Sequence, residues 1–525
     1  MRAPGPLALL IALACTAGMV GFGLLVSRRQ RSLDDYFLAS RASRWPSIGL
    51  ALYASNISST AIVALAGAAY AYGISVYDYE WSAAVILVFF CVFLLPALLS
   101  SRVYTMPEFL ERRYDRGARL YFAALTLFLL VFVDSAAALY CGSLVCHLFV
   151  PSVPLWALGA LLGGAACLYT LTGGLRAVMW TGSVQAVLLF GSSLIIAVAA
   201  FMRVGGWHAL ASQVNPGMLA LIRPVGDPGV PWPGLLFGIP VLGFYYWCTN
   251  HYIVQRVLSA RSLDDGRRGA LLTGLLKLTG LFLMVLPGTC AIVLYPHLSK
   301  PDQVYPRLMF GLLPAGLLGL VAAGFVAATL ATLASALNCA SALITVDLIR
   351  HIAPRATAAQ LVRIGRLSTL GVLAVAVLWA PQIERFGDLW QYLQAVLAYA
   401  VPPIVALFAA GLFWRGANAA GARATLLVGT LCGLALFLLT TVVHVVRLQF
   451  LYAAPILLAI DLAVLIAASL RWPAAPSVEV DALLWRRADY RAETRRLREV
   501  GVTASYRTQA LALLILTALI VVAFR

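Results

Sequence analysis

The sequence predicts an all-α, polytopic membrane protein, and three observations predict it. Of the 525 residues, 62% are apolar and only 11% charged, and the mean hydropathy is +0.90. A soluble globular chain averages about 45–50% apolar and about 25% charged residues. The apolar residues gather into runs that can cross a hydrocarbon core of about 30 Å, which takes roughly 20 residues of helix. The basic residues follow the loops between those runs. Together these observations exclude a soluble enzyme, a disordered regulator and a secreted disulfide scaffold.

Windows of that length give fourteen segments, near 5–26, 46–71, 78–100, 120–149, 153–172, 182–202, 233–254, 269–295, 312–348, 367–382, 387–413, 424–446, 449–470 and 508–524. The first follows a lone Arg2 and ends at Arg28, Arg29 and Arg31, which reads as a retained span and not a cleaved signal. With the N-terminus outside, the loops 27–45, 101–119, 173–181, 255–268, 349–366, 414–423 and 471–507 face the cytoplasm. They carry 29 of the 38 lysines and arginines; eight lie on the other side, and Lys277 lies within a span. This is the positive-inside pattern, so both termini are expected outside. It also accounts for the net charge of +17, and no nucleic-acid partner is implied. The expected location is the plasma membrane, of the bacterial inner type, with the bilayer itself as a partner.

The loops hold no domain of their own. The longest outer loop, 203–232, is Pro-rich and reads as a short cap. The longest inner loop, 471–507, opens Pro-rich and then carries an Arg/Glu-rich stretch, 491–499, expected as a solvated or interfacial helix. The nine cysteines lie in apolar segments without a CxxC pair and read as packing residues. The six histidines are scattered over different segments, so no catalytic constellation is visible. No obligate protein partner is evident.

In lipid every ionisable or strongly polar side chain is costly, so each one inside a span is a functional candidate. Lys277 is one of two lysines against 36 arginines. It lies about 12 Å into its span at 1.5 Å per residue, where an ammonium needs a partner or a wet cavity. Asp134 has similar depth and is the expected partner, because opposite charges offset each other's desolvation. Gln394 is likewise well inside its span. The run Ser55-Asn56-Ile57-Ser58-Ser59-Thr60 interrupts the second segment near its middle. Discontinuous helices offer carbonyls to cations and N–H groups to substrates, as in many symporter midplane sites. Gly243-Phe-Tyr-Tyr-Trp-Cys-Thr-Asn250 is a second such break, with Tyr246 and Trp247 deeper than an interfacial aromatic belt. In the ninth segment Ala328, Ala331, Thr332 and Ser335 share one helix face, which suits either close packing or a cation.

These residues lie in stretches that resemble the sodium/solute symporter family, in its sodium/glucose cotransporter branch. In family order they are Asp35-Tyr-Phe-Leu-Ala-Ser40, Ala54-Ser-Asn-Ile57, Tyr79-Glu-Trp81, Thr105-Met-Pro-Glu-Phe-Leu110 and Tyr169-Thr-Leu-Thr-Gly-Gly-Leu175. Then follow Tyr246-Trp247, Ile253-Val-Gln-Arg256, Leu286-Pro-Gly288, Leu333-Ala-Ser-Ala-Leu-Asn338, Val346-Asp347, Tyr392-Leu-Gln394 and Phe413-Trp414. The resemblance implies a LeuT-like fold with a five-plus-five inverted repeat. The repeats would cover 46–202 and 233–413, with an additional N-terminal span at 5–26 and three C-terminal spans in 424–525. The second and seventh segments would be broken at the site. A sodium ion would be held by the carbonyls of Ala54, Ile57 and Ala328 and by side-chain oxygens at positions 331 and 332. The sugar would meet Asn56, Glu80, Lys277 and Gln394, with Tyr246 covering it from inside and Trp247 beside it.

The chain departs from the family pattern at several of these places. Ala61, Ala83 and Gly243 stand where sugar transporters carry polar residues. Ala331 removes one sodium-site hydroxyl beside Thr332, and Gly182 replaces a carboxylate linked to coupling. Asp134 is an acid where a neutral or basic residue is expected, and is a candidate coupling residue. The reading is a sodium-coupled symporter that imports a small sugar or polyol by alternating access. Its rivals are a sodium-independent or proton-coupled carrier of the same fold, a membrane sensor that binds solute without moving it, and a membrane-embedded enzyme. The scattered histidines argue against the last.

Overall fold

The computed structural model describes residues 43–525 except 102, 104, 350–354, 356, 387, 475–477, 500 and 502–504, plus positions 10, 14 and 18. Within 169–188, and at 346, 347, 358, 359, 362, 478, 479, 496, 498 and 499, it describes the backbone alone. The expected first span therefore lies outside the described residues, apart from those isolated positions. Every regular element that is described is helical, α interrupted by short 3-10 and π stretches. Among the described residues eight helices are long and apolar enough to cross a membrane, or up to ten when each of two bent pairs counts as one span.

This differs from fourteen uniform segments because several of them are interrupted. The second segment divides into Trp45–Asn56 and Ser59–Tyr72. The seventh runs through a π stretch, Gly234–Gly238, then Ile239–Phe244, a second π stretch at Tyr245–Thr249, and restarts as His251–Leu258. The eleventh is Leu389–Ala400 followed by Pro402–Phe413 at 53°. Pro402 and Pro403 lack the N–H groups that would continue the first half, which is the physical cause of that bend. One expectation is corrected. The fifth and sixth segments share a continuous helical backbone, Leu155–Val204, so the loop placed at 173–181 is not a break. Fifty residues of helix span on the order of 75 Å, more than a single crossing needs.

Small residues set the crossing that positions the site. The helix Trp45–Asn56 packs against Leu263–Lys277 with the same chain direction. A Cβ on Gly49 would meet Leu272 Cδ2 at 2.7 Å and the Gly269 carbonyl oxygen at 2.9 Å, and one on Gly269 would meet Ile48 Cγ2 at 2.7 Å. The two backbones are therefore in close contact, as small residues allow in membrane helices. Thr273 donates to the Gly49 carbonyl at 3.1 Å, Trp45 N–H to Asp265 Oδ1 at 3.1 Å, and Tyr53 and Thr279 share a hydroxyl bond of 2.8 Å. Followed two turns beyond the glycines, this register brings Asn56 beside Lys277.

The buried apolar residues form two large clusters. Tyr79, Trp81, Leu393 and Val396 pack against both of them. These residues flank Glu80 and Gln394 in sequence. On the periphery, Leu427, Leu431 and Leu434 are each more than half exposed on one side of the helix Ala419–Phe437, as a lipid-facing surface requires.

Candidate binding site at the broken helices

The first break is built by Ser58. Its hydroxyl accepts from the Ala61 N–H at 3.1 Å and caps Ser59–Tyr72, a cap of the kind worth about 1 kcal/mol. Its own N–H turns to the Asn56 carbonyl at 3.0 Å. In an uninterrupted helix those N–H groups would serve Ala54 and Ile57, four residues back. Among the described residues, neither the Ala54 nor the Ile57 carbonyl accepts a backbone hydrogen bond across the break. Both oxygens are therefore left with electron pairs to offer a cation.

The helix Ala315–Ala342 comes up against this break, and Ser59 and Thr329 hydroxyls lie 2.9 Å apart. Ala328 lies one residue before Thr329 on this helix, and Ala331 and Thr332 lie two and three residues after it. Ala328 and Ala331 are buried, and Thr332 is half-buried. The Thr332 hydroxyl makes no hydrogen bond among the described residues, unlike Thr329, which donates back to the Phe325 carbonyl at 3.0 Å. A set of backbone oxygens with one unengaged hydroxyl fits a hard cation that takes oxygen ligands.

The second half of the site surrounds Lys277, which is 1% exposed. Its ammonium pairs with the Glu80 carboxylate and donates to the Asn56 side-chain oxygen. The Asn56 amide in turn donates to the Tyr246 hydroxyl at 3.0 Å. Tyr246 and Trp247 meet edge to face at 5.1 Å, and the ammonium lies 5.8 Å from the Trp247 ring centroid. Asn250 shapes the second break by accepting from the Tyr252 N–H at 3.0 Å. The two breaks are thus joined through Asn56 and Tyr246. Glu80 reaches Lys277 because position 280 is glycine: a Cβ there would sit 2.7 Å from Glu80 Oε2.

The expected Lys277–Asp134 pair is corrected by this geometry. Asp134 lies on the π stretch Leu130–Ser135, is exposed, and makes no ion pair among the described residues. It is within electrostatic range of Tyr246 and Tyr392. Sequence gives depth in the bilayer but not direction around the helix axis, and equal depth was shared by residues on different sides. Gln394 is half-buried and makes no hydrogen bond among the described residues. It lies one turn after Trp390, whose ring meets Tyr79 edge to face at 4.9 Å.

Of the departures, Ala83 is fully buried, and a Cβ at Gly243 would meet Ile86 Cδ1 at 2.2 Å. Packing therefore closes position 83, while Gly243 and Ala61 are half-buried. Gly182 falls in the stretch described by backbone alone. Gly280, Thr329 and Trp390 were not singled out from sequence. Nothing in their local pattern marks them, since each acts by contact with a distant helix.

The profile of the sodium:solute symporter family matches residues 36–429. The chain belongs to that family. Sodium/myo-inositol cotransporter 2 from Mus musculus is 34% identical over 496 residues, covering 86% of this chain and 71% of the relative. Sodium/glucose cotransporter 2 from Rattus norvegicus is 33% identical over 467 residues, covering 79% and 69%. Among solved structures, a sodium-coupled sialic acid symporter in a substrate-bound outward-open state matches with a TM-score of 0.76 at 20% identity, covering 90% of this chain and 99% of that one. Mhp1, a nucleobase-cation-symport-1 family transporter closed around bromovinylhydantoin, matches at 0.55 and 16% identity, covering 86% and 99%. At these identities the likeness establishes the fold, the LeuT-like one expected. As a sodium:solute symporter family member the chain is an integral membrane transporter and not an enzyme.

Proposed function

We propose that this chain is a sodium-coupled symporter that imports a small sugar or polyol across the plasma membrane. The observation that carries this reading is the junction of the two breaks. The first break offers the Ala54 and Ile57 carbonyls to a cation. One residue away, Asn56 holds Lys277 and Tyr246. Sodium binding among Ala54, Ile57, Ala328 and Thr332 would fix the break and so fix Asn56. Sugar hydroxyls would then exchange with the bonds now made among Asn56, Glu80 and Lys277, and would engage the unpaired Gln394. Tyr246 and Trp247 would close the inner side until the bundle rocks. Coupling of this kind is a shared free energy between two ligands, and it is reciprocal. The named substrates of the relatives, myo-inositol and glucose, support a polyhydroxylated neutral solute. We further propose the bacterial-type inner membrane as its location, both termini outside, on the distribution of basic loops, and the repeats at 46–202 and 233–413.

The test is uptake of a labelled sugar and polyol panel into proteoliposomes, with and without an inward sodium gradient. Sodium-dependent accumulation of at least one neutral polyol is the expected result. Accumulation indifferent to sodium rules the reading out. One observation favours a second reading, coupling to protons: Asp134 is an exposed acid near Tyr246, and position 331 offers no hydroxyl. Uptake driven by an inward proton gradient, and lost in Asp134→Asn, would select it.

A further inference from the structure

We infer that the helix Arg487–Glu499 is a docking surface for anionic phospholipid headgroups of the leaflet facing the basic loops. Tyr490, Glu493, Thr494 and Leu497, spaced along one face of this 13-residue helix, are turned to the protein. Tyr506 hydroxyl and Arg507 guanidinium each reach Glu493 at 3.0 Å, and Arg507 donates to Thr494 at 2.6 Å. The same guanidinium lies 3.8 Å over the Tyr490 ring. Glu493 also pairs with the buried Arg267, near the start of the Lys277 helix. On the flank beside this anchored face, Arg487, Arg491 and Arg495 recur every fourth residue. All three are exposed, and none has a carboxylate partner among the described residues.

Apolar spans precede and follow this helix in the chain. The preceding span Phe450–Arg471 ends at Trp472, a residue 58% exposed with the Arg471 guanidinium 5.6 Å from its ring centroid. Exposed tryptophan and arginine at a span end mark the headgroup level. The following helix, Tyr506–Ala523, presents Leu511, Ile515 and Leu519, each more than half exposed, as a lipid-facing side. Six residues join Glu499 to Tyr506, a reach of at most about 20 Å. Three unpaired guanidiniums at this level match phosphate in charge and in bidentate geometry. A soluble polyanion would match the charge, but only the bilayer is delivered to this flank by the spans on either side.

The test uses the full chain in nanodiscs of phosphatidylcholine alone or mixed with phosphatidylglycerol, read by thermal unfolding and by phosphatidylglycerol retained after extraction. Each arginine at an anionic surface is worth roughly fivefold in affinity, so R487Q/R491Q/R495Q should lower retention by about a hundredfold. The wild type should unfold at a higher temperature in the mixed bilayer, and the glutamine variant at one temperature in both. The charge-preserving R487K/R491K/R495K should keep the lipid dependence. Full lipid dependence in the glutamine variant, or its loss in the lysine variant, overturns the inference. So does a wild type indifferent to the lipid, which would assign the flank to solvent or a protein partner. None of these readouts involves transport, so they stand apart from the proposed substrate and ion.

Discussion

Lys277 and Gln394 are polar residues within spans that the protein treats in opposite ways. Lys277 is bonded to Glu80 and Asn56, whereas Gln394 is engaged by nothing described. Removing one member of a buried ion pair strands the other, at a cost on the order of 3–5 kcal/mol. Lys277→Ala or Glu80→Ala should therefore lower stability strongly. Lys277→Met combined with Glu80→Gln should recover much of that loss. In a double-mutant cycle read by thermal unfolding, positions 80 and 277 should couple and positions 134 and 277 should add. Additive losses at 80 and 277 would contradict the pair. Gln394→Ala strands no partner, so its unfolding temperature should stay at the wild-type value. If it bonds the solute, its apparent KM should rise about 2- to 12-fold. Unchanged transport in that variant would remove Gln394 from the site.

At the scale of elements, the helix breaks hold the proposed cation site. Thr332 is the one side-chain oxygen proposed for the cation, beside backbone oxygens that mutation cannot delete. Thr332→Ala should abolish sodium stimulation of uptake, and Ala331→Ser should preserve it or raise sodium affinity, measured as initial rate against sodium at fixed pH. On the side opposite the basic loops, two buried carboxylates tie together segments distant in sequence. Asp302 accepts from the Leu389 N–H and the Tyr140 hydroxyl, both at 3.1 Å. Asp388 accepts from Tyr72 and from the Gln391 N–H, both at 2.8 Å. Burial pushes the Asp302 carboxyl up to about 7, helped by the neighbouring Asp388 charge and opposed by its hydrogen bonds and Lys300. The folded protein thus binds a proton there that the unfolded chain releases near its ordinary carboxylate value. The resulting stabilisation is full below that value and is lost as pH rises through about 7. Unfolding temperature should fall over this window, and Asp302→Asn should flatten it. A slope unchanged in Asp302→Asn would place the proton elsewhere.

For the whole molecule, Glu80 and Lys277 meet the first broken helix at Asn56, and residues beside Glu80 pack against both apolar clusters. A site beside both clusters changes when the clusters move against each other, which is what alternating access requires. The ion count is a property of the whole transport cycle. With Ala331 lacking an oxygen and Gly182 lacking a carboxylate, one sodium per solute is expected. Uptake rate against sodium, with choline replacing it, should give a Hill coefficient near 1, and a value near 2 would contradict this.

The sequence by itself determined the helical membrane class, because polar backbone in hydrocarbon leaves a chain of this composition no other regular structure. It also located the break in the second segment: the polar run 55–60 cannot be buried against lipid, and Ser58 supplies the cap for the restart. The depth of Lys277, Asp134 and Gln394 followed from counting residues. What the tertiary structure decided was direction. The close Gly49–Gly269 crossing and the space at Gly280 turn Lys277 toward Asn56 and Glu80, and leave Asp134 without an ion pair among the described residues. Depth is additive along one helix and can be read from a string. The azimuth at which two helices meet depends on the shape of both surfaces, and only the packed molecule holds that information.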